Sequence, residues 1–176
     1  MRKNVATFFQ NQSGRRTLVH MPTGAGKTRT AMNIVLDQIR PETPGDITLV
    51  WMAHSDELCE QAVESFQEIW SSQGLSDAKI WRMWGGQSEL SEFDGVGCNF
   101  VVTSFQTLHG WIRTSDNRKF ETLTKIKRKC TFLVVDEAHL STAPTYKQVI
   151  NYVSGVSANI VGLTATPGRH SVFGDG

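Results

Sequence analysis

The chain has 176 residues, 39% of them hydrophobic and 20% charged, enough to bury one core and unlike a disordered or collagenous polymer. Its net charge of +1 excludes a globally basic surface, so any polyanionic partner would have to be held by local groups and backbone donors. No stretch has the length of a membrane span and the first residues lack the apolar run of a secretion signal, which predicts a soluble, cytoplasmic protein without a membrane partner.

Short apolar, β-rich runs alternate with helical periodicity, the pattern of βα units around a buried parallel sheet. In chain order the predicted strands cover residues 17–21, 47–53, 79–84, 99–103, 132–136 and 159–164. Helices are predicted over 27–39, over 55–71 with Asp56 and Glu57 where the helix dipole favours anions, and over 146–153. Turn chemistry punctuates the chain at 41–46, Gly85-Gly86, Asp94-Gly95-Val96-Gly97 and Ser115-Asp116-Asn117. Cys59, Cys98 and Cys130 lie far apart with no CxxC pair, which points to neither a zinc site nor a disulfide framework and fits a reducing compartment.

Between the first predicted strand and helix lies Met21-Pro22-Thr23-Gly24-Ala25-Gly26-Lys27-Thr28. A glycine loop in that position can turn backbone N–H groups toward a polyphosphate, with Lys27 reaching the terminal phosphates and the Thr28 hydroxyl holding Mg²⁺. The strict pattern wants glycine at Met21, so only the core from Pro22 to Thr28 matches. The expected nucleotide contacts are Thr23, Gly24, Ala25, Gly26, Lys27 and Thr28.

A second chemical signal follows the apolar run Phe132-Leu133-Val134-Val135, which ends in Asp136-Glu137-Ala138-His139. Carboxylates at the carboxyl end of a central strand face the ligand crevice of an α/β sheet. Asp136 is expected to bind Mg²⁺ through water, and Glu137 to orient and deprotonate an attacking water, with Lys27 completing the catalytic set. This requires Lys27 and Asp136 to meet at neighbouring strand tips.

The ordered set of PTGAGKT, DEAH and Gly162-Leu163-Thr164-Ala165-Thr166-Pro167 resembles motifs I, II and III of superfamily 2 DEAD/DEAH-box helicases. The match spans nearly the whole chain and resembles the first RecA-like, ATP-binding domain, especially that of restriction-enzyme motor subunits and repair helicases. The resemblance implies an α/β P-loop NTPase with a RecA-like parallel sheet flanked by helices. Its domain would occupy residues 1–170, with 171–176 starting a linker and a second RecA-like domain lying outside this chain. It also implies an ATP hydrolase with ATP and Mg²⁺ as cofactors, coupled to movement on or unwinding of nucleic acid. DNA is favoured over RNA by the LTATP form with Gly168-Arg169 after it. The rival is an ATP-switched clamp that binds nucleic acid without unwinding it.

By the same resemblance, His139, Thr164 and Thr166 would couple nucleotide state to the neighbouring domain. The segment from His54 and Ser55 looks like motif Ia, and that around Ser104 and Gln106 like motif Ib, both of which touch the sugar-phosphate backbone in the family. Gly85 and Gly86 occupy the place of a family glycine pair. Helix capping is the competing explanation for Ser55 and Ser104. The basic run Lys125, Lys127, Arg128 and Lys129 reads as a solvated face, and Trp81 and Trp84 as core rather than base-stacking platforms. Family members complete the site with arginines from the second domain, so this chain alone should be weakly active or inactive.

Overall fold

The computed structural model describes residues 16–22, 26–39, 46–73, 77–86, 90 and 92–165. Six strands, β1 (Arg16–His20), β2 (Ile47–Ala53), β3 (Ala78–Met83), β4 (Cys98–Ser104), β5 (Cys130–Val135) and β6 (Asn159–Thr164), form one sheet in the order β1-β6-β5-β2-β4-β3. Every pairing is parallel, so each crossover must run over a sheet face and cover it.

Helices α1 (Lys27–Ile39) and α2 (Asp56–Ser72) cover one face; α3 (Phe105–Ile112), α4 (Asn117–Lys129) and α5 (Pro144–Ser154) cover the other. Strand β2 shows why its sequence is apolar throughout instead of alternating. Leu49 and Trp51 point into the layer with Met32, Val63 and Phe66, whereas Val50 and Met52 point into the layer with Leu108, Leu123 and Ile150. Two cores thus sandwich one sheet, as the alternation of predicted elements required.

All six predicted strands are found, with ends shifted by a residue or two; β3 begins at Ala78 and stops before Trp84. Two helices went unpredicted. In α3, Gly110 interrupts a short segment and weakens its helical signal. In α4 only Leu123 and Ile126 are buried, so its apolar stripe is too sparse to register against the basic and hydroxyl-bearing residues around it. The basic run is the end of α4, where cations complement the helix dipole. Within it, Lys127 lies 4.6 Å from the Tyr152 ring centroid and Lys129 donates to Asp46 at 2.9 Å.

Trp84 is buried at the end of the β3 segment, and the Trp81 indole N–H donates to Asn99 Oδ1 at 2.9 Å, so both serve packing. The Asp94–Gly97 turn is closed by Val96 N–H donating to Asp94 Oδ1 at 2.9 Å. Among the described residues, no helix is long and apolar enough to cross a membrane.

Candidate nucleotide site and nucleic-acid face

The carboxyl ends of β1, β6 and β5 carry the three motifs to one edge of the sheet. Lys27 and Thr28 open α1, and the Gly26 carbonyl accepts a helical hydrogen bond from Thr30 N–H at 2.9 Å. Gly26 itself sits at φ +72°, a left-handed conformation that glycine adopts without steric cost. Thr23, Gly24, Ala25 and Thr166 lie outside the described residues.

From the other side, Asp136 continues β5, its N–H donating to Met52 O at 2.9 Å. Asp136 is 5% exposed, and its Oδ1 accepts the Glu137 N–H at 2.9 Å. Burial pushes the Asp136 pKa up and the Glu137 charge adds to this, while the Glu137 N–H and the Lys27 charge oppose it.

Glu137 is the one non-glycine at positive φ among the described residues, at φ 53° and ψ 50°. That conformation costs about 1–2 kcal/mol for an L-residue. It ends the strand abruptly and turns Glu137 back over the site, where Lys27 Nζ donates to its Oε1 at 3.0 Å. The other carboxylate oxygen lies 3.2 Å from His139 Nδ1, on the 3-10 turn Ala138–Thr142. Glu137 therefore bridges the lysine of the first motif and the histidine of the second.

The sequence led us to expect Lys27 and Asp136 on neighbouring strand tips. They are on the same edge, but β6 stands between β1 and β5. The lysine reaches across it to Glu137, and Asp136 feels its charge. The inserted strand is the one that carries Thr164, which is 1% exposed. Its carbonyl accepts the Met21 N–H at 3.0 Å, and His20 Nε2 lies 2.9 Å from Ala165 O, so the third motif is hydrogen-bonded to the stem of the phosphate loop.

No group of three or more His, Cys, Asp or Glu side chains among the described residues could hold a metal alone. Mg²⁺ takes one or two protein oxygens and fills its octahedron with phosphates and water. Asp136, buried at the end of β5, and Thr28, at the start of α1, carry oxygens suited to such a role.

Strands β2, β4 and β3 bring the other predicted residues to the far half of the same edge. Ser55 Oγ caps α2 by accepting Leu58 N–H at 3.3 Å, and Ser104 Oγ caps α3 by accepting Thr107 N–H at 3.3 Å. Both hydroxyls are thus engaged as caps. Gln106 is exposed on the first turn of α3, and Gly85 and Gly86 stand exposed after β3 at φ +58° and +81°.

His54 reveals a connection the sequence did not show. Its Nδ1 shares a 2.7 Å hydrogen bond with the Tyr146 hydroxyl, and the Tyr146 ring stacks on Phe105 at 3.6 Å with 2° between planes. Tyr146 lies in the first turn of α5, directly after the 3-10 turn that follows Glu137. One side chain thereby joins the carboxylate motif to both loops that resemble motifs Ia and Ib. No local pattern announces such a contact; it exists only once β2, β4 and β5 are adjacent.

An all-parallel sheet with a phosphate-loop lysine paired to an acidic strand end is the arrangement of a P-loop NTPase, and with its three ordered motifs the chain is of the RecA-like class of superfamily 2 helicase domains. Within that class, the family described as Type III restriction enzyme, res subunit, matches residues 1–169, and the chain belongs to it. The chain is 30% identical over 155 residues to the ATP-dependent DNA helicase mph1 of Sclerotinia sclerotiorum, covering 86% of this chain and 12% of the relative. It is 31% identical over 166 residues to MPH1 of Pyricularia oryzae, covering 92% of this chain and 14% of that protein. The chain thus spans a small part of these relatives' length. In fold it is similar to the Hef helicase domain of Pyrococcus furiosus, with TM-score 0.65, 23% identity, and coverage of 95% of this chain and 33% of that one. The UvsW helicase of bacteriophage T4 gives TM-score 0.61 at 19% identity, covering 94% and 51%.

Proposed function

We propose that this chain binds ATP with Mg²⁺ between α1 and the end of β5 and hydrolyses it as the first motor domain of a DEAH-type helicase or translocase. The observation that carries the proposal is the 3.0 Å contact between Lys27 and Glu137, residues 110 apart in sequence. Only a fold that closes the phosphate loop against the acidic strand end produces it.

In this reading the loop amides from Thr23 to Gly26 cradle the phosphates, and Lys27 turns from Glu137 to the terminal phosphate. Asp136 and Thr28 would hold the cation, which would supply charge neutralisation of the phosphate oxygens. Glu137, released from the lysine and held above the crevice by its left-handed backbone, orients the attacking water and takes its proton. His139 and Thr164 then sense the change, with Thr166 as the expected third member. Residues 1–170 form the domain, residues 171–176 open a linker, and a second RecA-like domain supplies the arginines that raise turnover.

Nucleic acid is the proposed partner, held along His54, Ser55, Gly85, Gly86, Ser104 and Gln106, and DNA is supported by the relatives' description as DNA helicases. The three free cysteines support a reducing, cytoplasmic setting. The test is ATP turnover by the full-length protein with single-stranded DNA, duplex DNA or RNA, paired with strand displacement and triplex displacement. DNA-stimulated hydrolysis with displacement of either kind is expected. Hydrolysis-independent DNA binding with no displacement would favour the clamp, and absence of ATP binding would remove both.

A further inference from the structure

An open cleft of about 350 Å³ lies at the β3 and β4 end of the sheet's carboxyl edge, lined by Trp84, Gly86, Gln106, Gly110, Trp111 and Lys119 among others. Its volume is at the lower end for small-ligand sites, room for one nucleotide and not for a folded partner. In the strand order it stands at the opposite end from β1, β6 and β5, so it is separate from the ATP crevice.

Gly110 gives the cleft its significance. It lies inside α3, where glycine costs about 1 kcal/mol relative to alanine. Neither usual reason for a helical glycine applies. Its φ is not positive, and a Cβ built there meets nothing within 4 Å, so no neighbour demands its absence. A side chain at 110 would instead project into the open cleft. A Cβ at Gly86 likewise meets nothing within 4 Å. At Gly86 the φ of +81° already favours glycine, so Gly110 is the omission of side chain that backbone geometry leaves unexplained, and both glycines open the same space.

The lining favours a nucleotide over an apolar ligand. Gln106, exposed on the first turn of α3, offers an amide with both donor and acceptor for a base edge. Lys119 holds its ammonium 5.8 Å from the Trp111 ring centroid, which stations a cation at the rim. Trp84 and Trp111 are 3% and 7% exposed, so they act as rigid walls.

We propose that this cleft is a subsite for one unstacked nucleotide of a bound single strand, its base against Gln106 and the tryptophan edges and its phosphate toward Lys119. The inference rests on the nucleic-acid reading above and adds a base-holding position to a surface otherwise suited to backbone contact.

The test is Gly110→Leu in the full-length protein. Leucine favours helix and has space, so the variant should melt no lower than the parent while filling the cleft. Binding is measured by fluorescence anisotropy with two probes, a single-stranded oligothymidylate and a backbone of the same length made only of abasic residues. The expected result is roughly tenfold weaker binding of the oligothymidylate and little change for the abasic strand. Lys119→Gln should weaken both severalfold and reduce the salt slope by about one charge. If Gly110→Leu binds oligothymidylate as tightly as the parent, the subsite is wrong while strand binding stands. If the parent binds neither probe, the nucleic-acid reading itself fails and takes the subsite with it.

Discussion

Glu137→Gln is expected to tighten nucleotide binding, because Lys27 has two claimants. Lys27 and Glu137 are 3.0 Å apart, with side chains 12% and 28% exposed. At that distance and an effective dielectric near 20 the bare attraction is about 5–6 kcal/mol, most of it offset by desolvation. A hydrogen bond to a charged group leaves a net of about 1.5–3 kcal/mol. Glutamine keeps the carbonyl acceptor but not the charge, so redirecting Lys27 to a phosphate becomes easier by about 1–2 kcal/mol. That corresponds to roughly 5- to 30-fold tighter binding, since about 1.4 kcal/mol is tenfold. Loss of a carboxylate facing the phosphates acts in the same direction. Titration of a non-hydrolysable ATP analogue by calorimetry or a fluorescent derivative measures the effect. Lys27→Ala in the same assay should weaken binding by roughly 10- to 100-fold, the lost charged contact left unreplaced. Unchanged or weaker binding in Glu137→Gln would refute the competition, and motif reading alone anticipates no change there.

Other perturbations follow from the same geometry. Burial raises the Asp136 pKa, so between its unfolded and folded values the native state holds a proton the unfolded chain has lost. Stability contributed at that carboxyl therefore falls as pH rises through this window, and Asp136→Asn should raise the neutral-pH melting temperature by a few degrees while abolishing turnover. Its Oδ1 can still accept the Glu137 N–H. Tyr146→Phe keeps the stack on Phe105 but deletes the bond to His54, which should cost about 0.5–1.5 kcal/mol in denaturant melts. In the full-length protein it should lower nucleic-acid stimulation of ATPase more than basal rate. Cys59 and Cys130 have pKa values pushed up to about 12 and Cys98 to about 11, burial being the main cause in each. Iodoacetamide at pH 8 should label native protein slowly at all three and unfolded protein rapidly, as followed by mass spectrometry. Gly85→Ala should destabilise by roughly 1–2 kcal/mol, since φ is +58° and the new Cβ would meet Asp56 Oδ2 at 3.1 Å.

The sheet was legible because a strand covered on both faces must be apolar at every position, as Leu133, Val134 and Val135 are. The phosphate loop and the acidic strand end were legible because their residue types serve chemistry and recur with little dependence on packing. What stayed hidden depends on neighbours. Helix α4 buries two side chains, too few to leave a period in the sequence. The insertion of β6 between β1 and β5 is a matter of strand order, which local pattern does not encode. The left-handed Glu137 gives no compositional warning, since glutamate carries none of the usual signals of positive φ. Tyr146 reads as an ordinary aromatic on a helix until His54 and Phe105 arrive from elsewhere.

The sheet order also dictates when the nucleotide crevice can take shape during biosynthesis. Among the described strands β1 touches only β6, and His20 meets Ala165 across 145 residues. Closing so large a loop is slow, so β1 must wait for β6, made well over a hundred residues after it. Until residue 164 has left the ribosome, the stem of the phosphate loop has no strand to lie against, and ATP present at that stage could not help the chain find its shape.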